Sequence, residues 1–133
     1  MKKKIFAFII ICVLIIGVSV ASVLVDQKTT TLGGSNVKAK SEIATDYLSA
    51  YSETTGPESD VSRYVNSTFY YLNINTNTTS STNKNKSVPK GTPQQCKVSH
   101  STIYSYIKIY KVSASHTASN SSGTWNVTTY CYW

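Results

Sequence analysis

The second half of this chain contains no acidic residue. All six Asp and Glu residues lie between positions 26 and 60, whereas residues 61–133 carry seven Lys and Arg residues. Acid–base and nucleophilic catalysis usually need a carboxylate or a supported His beside the reacting group. No GxSxG motif and no acid pair near the predicted strands supplies one. We therefore expect no enzymatic activity and no catalytic residue.

Histidine and methionine are also scarce, and this limits the metal chemistry that we expect. The chain has two His residues, His100 and His116, and they are sixteen positions apart with no ligand-like spacing to a carboxylate. A protein metal site needs three or four ligands. We expect no metal and no cofactor, and we predict that both His residues are exposed in loops or at strand edges.

The few cysteines exclude a disulfide-dense scaffold but predict a single bridge. Cys96 and Cys131 lie in the part of the chain that we expect to be exported. Because exported chains oxidise, a Cys96–Cys131 disulfide is the default expectation, and it would contribute about 3 to 4 kcal/mol. A simple hairpin would keep the two cysteines about 30 Å apart, so the bridge requires a break in the chain near residues 99–101.

The N-terminus has the pattern of an export segment. Lys2, Lys3 and Lys4 precede an uncharged run from Ile5 to Val25. Two interpretations stay open. Ser19-Val20-Ala21 is typical of signal-peptide cleavage before Ser22, whereas a 21-residue run that includes Val23–Val25 is long enough for a membrane anchor. Both interpretations place residues 26–133 outside the membrane, either tethered by Ile5 to Val25 or secreted.

The exported part predicts one small domain over residues 38–133. Residues 26–37 resemble a polar tether. Ile43, Ala44, Tyr47, Leu48 and Tyr51 have helical spacing and predict a helix over 38–52. A second helix is predicted over 59–72, where Val61, Val65 and Phe69 recur on one face, although Phe69-Tyr70-Tyr71 could equally open a strand. The low-complexity segment 73–95 predicts a flexible loop.

Two strands follow in the prediction. Residues 97–112 alternate Tyr and Ile, and residues 125–133 alternate as well, with Trp125, Val127, Thr129, Cys131 and Trp133 on the side that we assign to the core. Residues 113–123 predict a turn-forming linker. The resulting fold class is α+β, with one or two helices packed on a small antiparallel sheet.

One segment resembles a known group of domains. The stretch from Ser41 to Val65, SEIATDYLSAYSETTGPESDVSRYV, is similar to the opening helices of small extracytoplasmic domains of the nuclear-transport-factor-like or cystatin-like kind. Such domains occur in envelope and conjugative-transfer proteins. The resemblance implies a curved sheet with helices on one side and a role in binding or assembly, and it implies no site residue.

The charge layout predicts where a partner binds. An acid-free, Tyr-rich half attracts polyanions. Aromatic and cationic residues interleave at five positions, which we predict to form the contact strand: Tyr104, Tyr106, Lys108, Tyr110 and Lys111. The predicted function is that of a non-enzymatic, membrane-tethered or secreted envelope protein that binds a partner protein or an anionic surface, such as an anionic polymer or lipid head groups. We expect neither nucleic acid nor a small-molecule substrate.

Two alternative functions stay open at this point. The C-terminal YCYW and the segment SHTASNSSG resemble the tails of small β-rich secreted bacteriocins, which would make the chain a cationic effector. A surface filament subunit is the other alternative, although the Gly or Ala that its cut site requires is missing at Lys4-Ile5.

Overall fold

The computed structural model describes residues 22–133, which form strands and connecting turns and contain no helix. The predicted export segment therefore lies outside the described residues, apart from Ser22 to Val25. Along the chain the strands are β1 (Val25–Leu32), β2 (Ser35–Ile43), β3 (Ser49–Thr55), β4 (Ser62–Asn73), β5 (Thr78–Val88), β6 (Cys96–Ser101), β7 (Ile107–Asn120) and β8 (Gly123–Tyr132). No helix that could span a membrane occurs within residues 22–133.

The strands form a sandwich of two antiparallel sheets. The back sheet has the order β1-β2-β3-β6, and the front sheet has the order β5-β4-β7-β8. An antiparallel bridge between Val23 and Tyr132 joins the chain before β1 to the end of β8, with two backbone N–H···O bonds of 2.8 Å. The first and last described segments therefore hold one side of the sandwich together.

The predicted α+β fold is wrong, and the two helices that it required are strands. In the segment predicted as the second helix, every second residue from Val61 to Phe69 is buried, which is the period of a strand. Two of these inward positions are polar, namely Arg63 and Ser67. The remaining apolar residues, Val61, Val65 and Phe69, are therefore four apart and imitate a helical repeat.

The first predicted helix, over residues 38–52, is also wrong. The apolar residues that imitated its face belong to different elements, because Ile43 ends β2, residues 44–48 form the turn between β2 and β3, and Tyr51 lies in β3. Within β2 the polar Ser41 takes a buried position, which interrupts the apolar alternation of the strand. The helical opening implied by the resemblance of Ser41 to Val65 is thus absent. These residues instead form the end of β2, all of β3 and the start of β4.

The predicted tether over residues 26–37 is a hairpin. Leu32 pairs with Ser35, so that Gly33 and Gly34 make a two-residue turn with φ angles of 54° and 90°. Two successive positive φ angles are the signature of a type I′ turn, which glycine adopts without a steric penalty. A Cβ on Gly33 would also lie 2.1 Å from Ser122 Oγ, so the neighbouring β7–β8 turn leaves no room for a side chain.

The predicted loop over residues 73–95 is wrong over about half of its length, because residues 78–88 form the edge strand β5. This strand pairs with β4 on one side, and most of its side chains are exposed. An edge strand that is exposed on both faces needs no apolar residues, so its sequence has the composition of a loop. The linker predicted over 113–123 is likewise mostly the end of β7.

The prediction for the last strand is confirmed over residues 125–132. Trp125, Val127, Thr129 and Cys131 are the more buried positions of β8, and the residues between them are exposed. Trp133 differs, because it lies beyond the strand and its side chain is 43% exposed.

Small side chains fill much of the space between the sheets. The larger of the two apolar clusters is centred on Phe69, Ile43 and Ile109, with Ala50 and Ala114 among its members. The smaller cluster contains Val37, Val61 and Ala118, and Leu32 and Trp125 pack against it. Small residues allow two sheets to approach closely, so that polar side chains can also meet across the interface.

A chain of buried hydroxyl groups and one imidazole crosses the sandwich. Ser67, Ser52, Ser41 and Thr129 are linked in that order by O···O distances of 3.0, 2.7 and 2.6 Å. His116 continues the chain, with Nε2 2.8 Å from Thr129 Oγ1 and Nδ1 2.9 Å from Thr54 Oγ1. Ser41, Ser52 and Thr54 come from the back sheet, and the other three come from the front sheet.

The direction of each bond in this chain follows from its last member. Thr54 donates its hydroxyl proton to the backbone carbonyl of Tyr64 at 2.8 Å, so it can only accept from His116. Neutral His116 therefore carries its proton on Nδ1 and accepts at Nε2 from Thr129. Each remaining hydroxyl then donates to its neighbour, from Ser67 to Ser52, to Ser41 and to Thr129. All of these donors are satisfied, which offsets the cost of burying them.

The prediction that His116 is exposed is wrong, since its side chain is 1% exposed. Burial lowers the pKa of His116 from 6.5 to about 4, because a charged imidazolium would lose its hydration between the sheets. His100 is partly buried on β6, and burial also lowers its pKa.

We predict that acid destabilises the fold through His116. The unfolded chain binds a proton at this residue below pH 6.5, whereas the folded chain does so only near pH 4. The contribution is therefore complete above pH 6.5 and is lost as the pH falls from 6.5 to 4, by up to about 3 kcal/mol. Urea unfolding at several pH values in this window measures it.

The variant His116→Gln should be less stable at pH 7 and should lose this pH dependence, because Gln does not titrate. His100→Gln is the matched control and should keep most of the dependence. An unchanged slope in His116→Gln would contradict the assignment.

Candidate functional site

A row of aromatic and cationic side chains crosses the outer surface of the front sheet. Tyr70 on β4 pairs with Lys111 on β7, and Lys111 pairs with Tyr132 on β8. An irregularity in the pairing after Tyr70 brings Tyr110 beside it, with ring centroids 6.3 Å apart. Together with Tyr130, which is 51% exposed, these residues form what we call the Tyr–Lys band.

The alternation of the strands directs the band outward. Phe69, Val112 and Cys131 are fully buried, so their neighbours Tyr70, Lys111 and Tyr132 point to the opposite face of the sheet. The ammonium group of Lys111 lies 4.8 Å from the centroid of the Tyr70 ring, a cation–π contact. This contact holds the lysine over the sheet while its charge stays accessible to a partner.

Hydroxyl and amide side chains cover the rest of this outer surface. Asn66 pairs with Asn85 and with Ser115, and Thr117 donates to Asn126 Oδ1 at 2.8 Å. Asn83 Nδ2 donates to Thr68 Oγ1 at 3.0 Å across β5 and β4. The amide oxygen of Asn66 has no partner. The outer surface therefore combines the Tyr–Lys band with a field of neutral hydrogen-bonding groups.

The front sheet contains no acidic residue. Its four strands carry Arg63, Lys84, Lys86, Lys108 and Lys111, of which Arg63 is buried between the sheets. One carboxylate reaches this sheet from β1. The carboxylate of Asp26 accepts from the backbone N–H of Tyr130 at 2.9 Å and lies 3.1 Å from Lys28 Nζ. Because Lys28 offsets that charge, the positive potential of the front sheet is not cancelled.

The structure places the five residues of the predicted contact strand in different parts of the fold. Tyr110 and Lys111 lie in the Tyr–Lys band. Tyr104 and Tyr106 instead lie in the loop between β6 and β7, where their rings stack at 5.2 Å. Lys108 is at the start of β7 and donates to the carbonyl of Asp46 at 3.0 Å. The single contact strand predicted over these residues is thus a loop followed by the start of β7.

This β6–β7 loop is an exposed apolar segment at the end of the front sheet. Ile103 is 88% exposed and Tyr104 is 50% exposed. The backbone carbonyl of Tyr106 accepts from Ile74 N–H at 2.9 Å, which fixes the loop to the end of β4. Tyr106 and Tyr110 are four residues apart, about 13 Å at strand rise, so loop and band lie at the same end of the sandwich.

The back sheet has its own charged cluster, but its members satisfy one another. Lys40 Nζ lies 2.6 Å from Glu42 Oε2, and the Tyr51 hydroxyl donates to the same oxygen at 2.9 Å. The hydrogen bond with Lys40 lowers the pKa of Glu42, and the hydrogen bond with Glu42 raises the pKa of Lys40. Lys97 Nζ covers the Tyr51 ring at 3.8 Å. A cavity of about 310 Å³ beside these residues is partly lined by His100.

The predicted disulfide is absent from the structure. Cys96 and Cys131 are both free and buried. Cys96 lies on β6 at one edge of the back sheet, whereas Cys131 lies on β8 at the opposite edge of the front sheet and donates to the Ser41 carbonyl at 3.1 Å. Ser41 is separated from β6 by β3, and two strand spacings are about 10 Å, which exceeds the Cα separation of a disulfide.

No metal site is evident within residues 22–133, where no three His, Cys, Asp or Glu side chains lie close enough together to hold an ion. The expectations of no cofactor and no enzymatic activity stay predictions. No protein-family model, curated protein or solved structure matches this chain.

Sequence reasoning missed three aromatic members of the site. Tyr70 was placed either in a helix or at the opening of a strand, and Tyr130 and Tyr132 were only the outward positions of the predicted last strand. A signal was available in the sequence, because Tyr70 follows the apolar Phe69 and the other two flank Cys131, so alternation would direct all three outward. The alternation at Tyr70 was hidden by the polar inward residues of β4.

We predict that both cysteines are free thiols that react only when the fold opens. Burial raises the pKa of each thiol to about 11, which suppresses the reactive thiolate. Iodoacetamide should therefore modify the native protein slowly at pH 8. It should modify both residues rapidly in urea without any reductant, as read by mass spectrometry. A mass two hydrogens lower that resists alkylation in urea would show a disulfide and contradict this structure.

Proposed function

We propose that this protein acts outside the membrane as a non-enzymatic binder of an anionic, hydroxyl-rich polymer of the cell envelope. The row of Tyr70, Lys111 and Tyr132 on an acid-free sheet is the observation that carries the proposal. The chemistry expected of the ligand is a chain of sugar or polyol units with repeating phosphate or carboxylate groups.

Each part of the surface matches one part of such a polymer. A sugar ring or polyol presents apolar C–H groups, which pack against the faces of exposed Tyr rings, and the Tyr hydroxyl stays available for hydrogen bonds. Lys111 supplies an ammonium group for a phosphate or carboxylate. The exposed Asn, Ser and Thr side chains beside the band suit the ligand hydroxyls.

The geometry favours an extended ligand. The band runs across three strands, β4, β7 and β8, which are neighbours in the front sheet. Adjacent strands are about 4.8 Å apart, so the distance from β4 to β8 is about 10 Å, the length of two sugar units. An open sheet surface of this kind gives a polymer many weak contacts, whereas small molecules usually bind in concave pockets.

We predict that charge reversal of Lys111 weakens polymer binding. The test uses poly(glycerol phosphate) and polygalacturonate as anionic probes, and neutral dextran as the uncharged probe. Lys111→Glu should raise the Kd for whichever of the two anionic polymers the protein binds by about tenfold or more at low salt. This size is expected when an anion replaces a cation near a polyanion. Isothermal titration calorimetry on the secreted protein measures this change.

Lys38→Glu is the matched control, because it makes the same charge change on the back sheet. It should change the Kd by no more than about twofold, since it leaves the band intact. Lys111→Gln should also reduce the slope of log K against log salt concentration by about one.

Three results would contradict the proposal. Binding that does not weaken with salt would exclude the electrostatic part, and equal losses in Lys111→Glu and Lys38→Glu would exclude the band. Binding to anionic lipid vesicles without binding to either anionic polymer would identify a membrane surface as the ligand instead.

A further inference from the structure

The strands of the sandwich begin inside the apolar run that precedes the domain. Val23 exchanges two backbone hydrogen bonds with Tyr132, and the carbonyl of Leu24 accepts from Ile43 N–H at 2.8 Å. Leu24 also packs against the larger apolar cluster. Val25 is the first residue of β1 and pairs with Glu42. These apolar residues are thus part of the folded domain.

This placement removes the sequence feature that favoured a membrane anchor. Val23–Val25 extended the uncharged run to 21 residues, but a residue paired in the sandwich cannot also lie in a bilayer-spanning helix. Ile5 to Ser22 leaves 18 residues. As a helix they would span about 27 Å, close to the short limit for a hydrocarbon core of about 30 Å, and they would leave no linker between the membrane and Val23.

The alternative interpretation, cleavage by a signal peptidase, fits the position where the sandwich begins. Ser19-Val20-Ala21 is the small-residue pattern that precedes a signal-peptide cut, and the bond after it joins Ala21 to Ser22. Ser22 is exposed, and Val23 is the first of the described residues to have a strand partner. A cut at this bond would remove the apolar segment and leave every residue that pairs in the sandwich.

We propose that the Ala21–Ser22 peptide bond is a processing site at which a signal peptidase releases the mature chain. In this hydrolysis a water molecule is consumed and the C–N bond breaks. The hydroxyl goes to the carboxyl group of Ala21 and a hydrogen goes to the amine of Ser22, so no other reactant is needed.

The order of synthesis keeps this bond accessible. Tyr132, the partner of Val23, lies in the last strand, and Ile43, the partner of Leu24, lies at the end of β2. Because chains are exported and folded from the N-terminus onward, Leu24 and Val25 can pair with β2 early, whereas Val23 has no partner until β8 arrives. The bond before Ser22 therefore stays accessible to a peptidase until the last strand is made.

Cleavage would also add a charge at the edge of the candidate site. The new α-ammonium group of Ser22 would lie one residue from Val23, whose bridge partner Tyr132 pairs in turn with Lys111. Processing therefore places a second cation near the end of the Tyr–Lys band, on the side of the sheet formed by β8.

The test is the N-terminus of the full chain after export from a bacterial host. Intact mass and N-terminal sequencing are measured separately on membrane and medium. We expect a chain in the medium that begins at Ser22. A full-length chain in the membrane fraction, or a chain that begins at any other residue, would overturn the proposal.

Two variants test the motif itself. Ala21→Ser keeps a small residue before the bond and should give the same product as the wild type. Ala21→Tyr should leave the chain uncut or move the cut, so that no product begins at Ser22. Efficient release of a product that begins at Ser22 from Ala21→Tyr would contradict recognition at this bond. Both variants are read by mass, which does not depend on polymer binding. The cleavage proposal and the polymer-binding proposal can therefore fail independently.

Discussion

The two sheets of this sandwich are joined at their centre by hydrogen bonds as well as by apolar contacts. The chain from Ser67 to Thr54 crosses between the sheets three times, and each of its hydroxyl groups has a partner. Hydrogen bonds need defined distances and directions, so this chain sets the register of one sheet over the other more sharply than apolar packing alone. Alanine and serine at the inner positions make the approach of the sheets close enough for these bonds to form.

The buried polar chain also explains the composition of the outer surfaces. Because hydroxyl residues serve inside the sandwich as well as outside, the interior needs few large apolar residues, and no Tyr side chain within residues 22–133 is fully buried. The front sheet then presents tyrosine, lysine and neutral amides with no acid of its own. A surface of this type has little self-repulsion along the strands but attracts anions at one end, where Lys108 and Lys111 enter β7.

The N-terminal residues of the domain connect the fold with the predicted export segment. Leu24 packs against the core and Val23 pairs with the last strand, so this segment is a structural part of the sandwich, although its composition is also suited to a membrane. The bridge between Val23 and Tyr132 protects an edge of the front sheet that would otherwise expose unpaired backbone groups. The same three residues, Val23 to Val25, therefore bear on both the stability of the domain and the choice between tether and release.

How much could be predicted from the sequence depended on whether the inward positions of a strand were apolar. In β8 the alternation is nearly complete, so its inner and outer faces over residues 125–132 were predicted correctly. In β4 the polar residues Arg63 and Ser67 take inward positions, so the apolar residues that remain are four apart and indicated a helix. Strand β5 has exposed faces and little apolar content, so no local pattern could distinguish it from a loop.

The features of the candidate site also fall into two groups, those that the sequence predicts and those that only the tertiary structure decides. Amino-acid order alone determined the separation of charge, the cluster of Tyr and Lys near residues 104–111 and the basic, then apolar, N-terminus, because these are properties of composition along the chain. Only the tertiary structure decided that Tyr70 and Tyr132 flank Lys111, that His116 is buried, and that Cys96 and Cys131 lie apart. Each of these depends on which strands become neighbours, and strand pairing is set by contacts between residues as much as 109 positions apart, as for Val23 and Tyr132. No local pattern in the sequence encodes that choice.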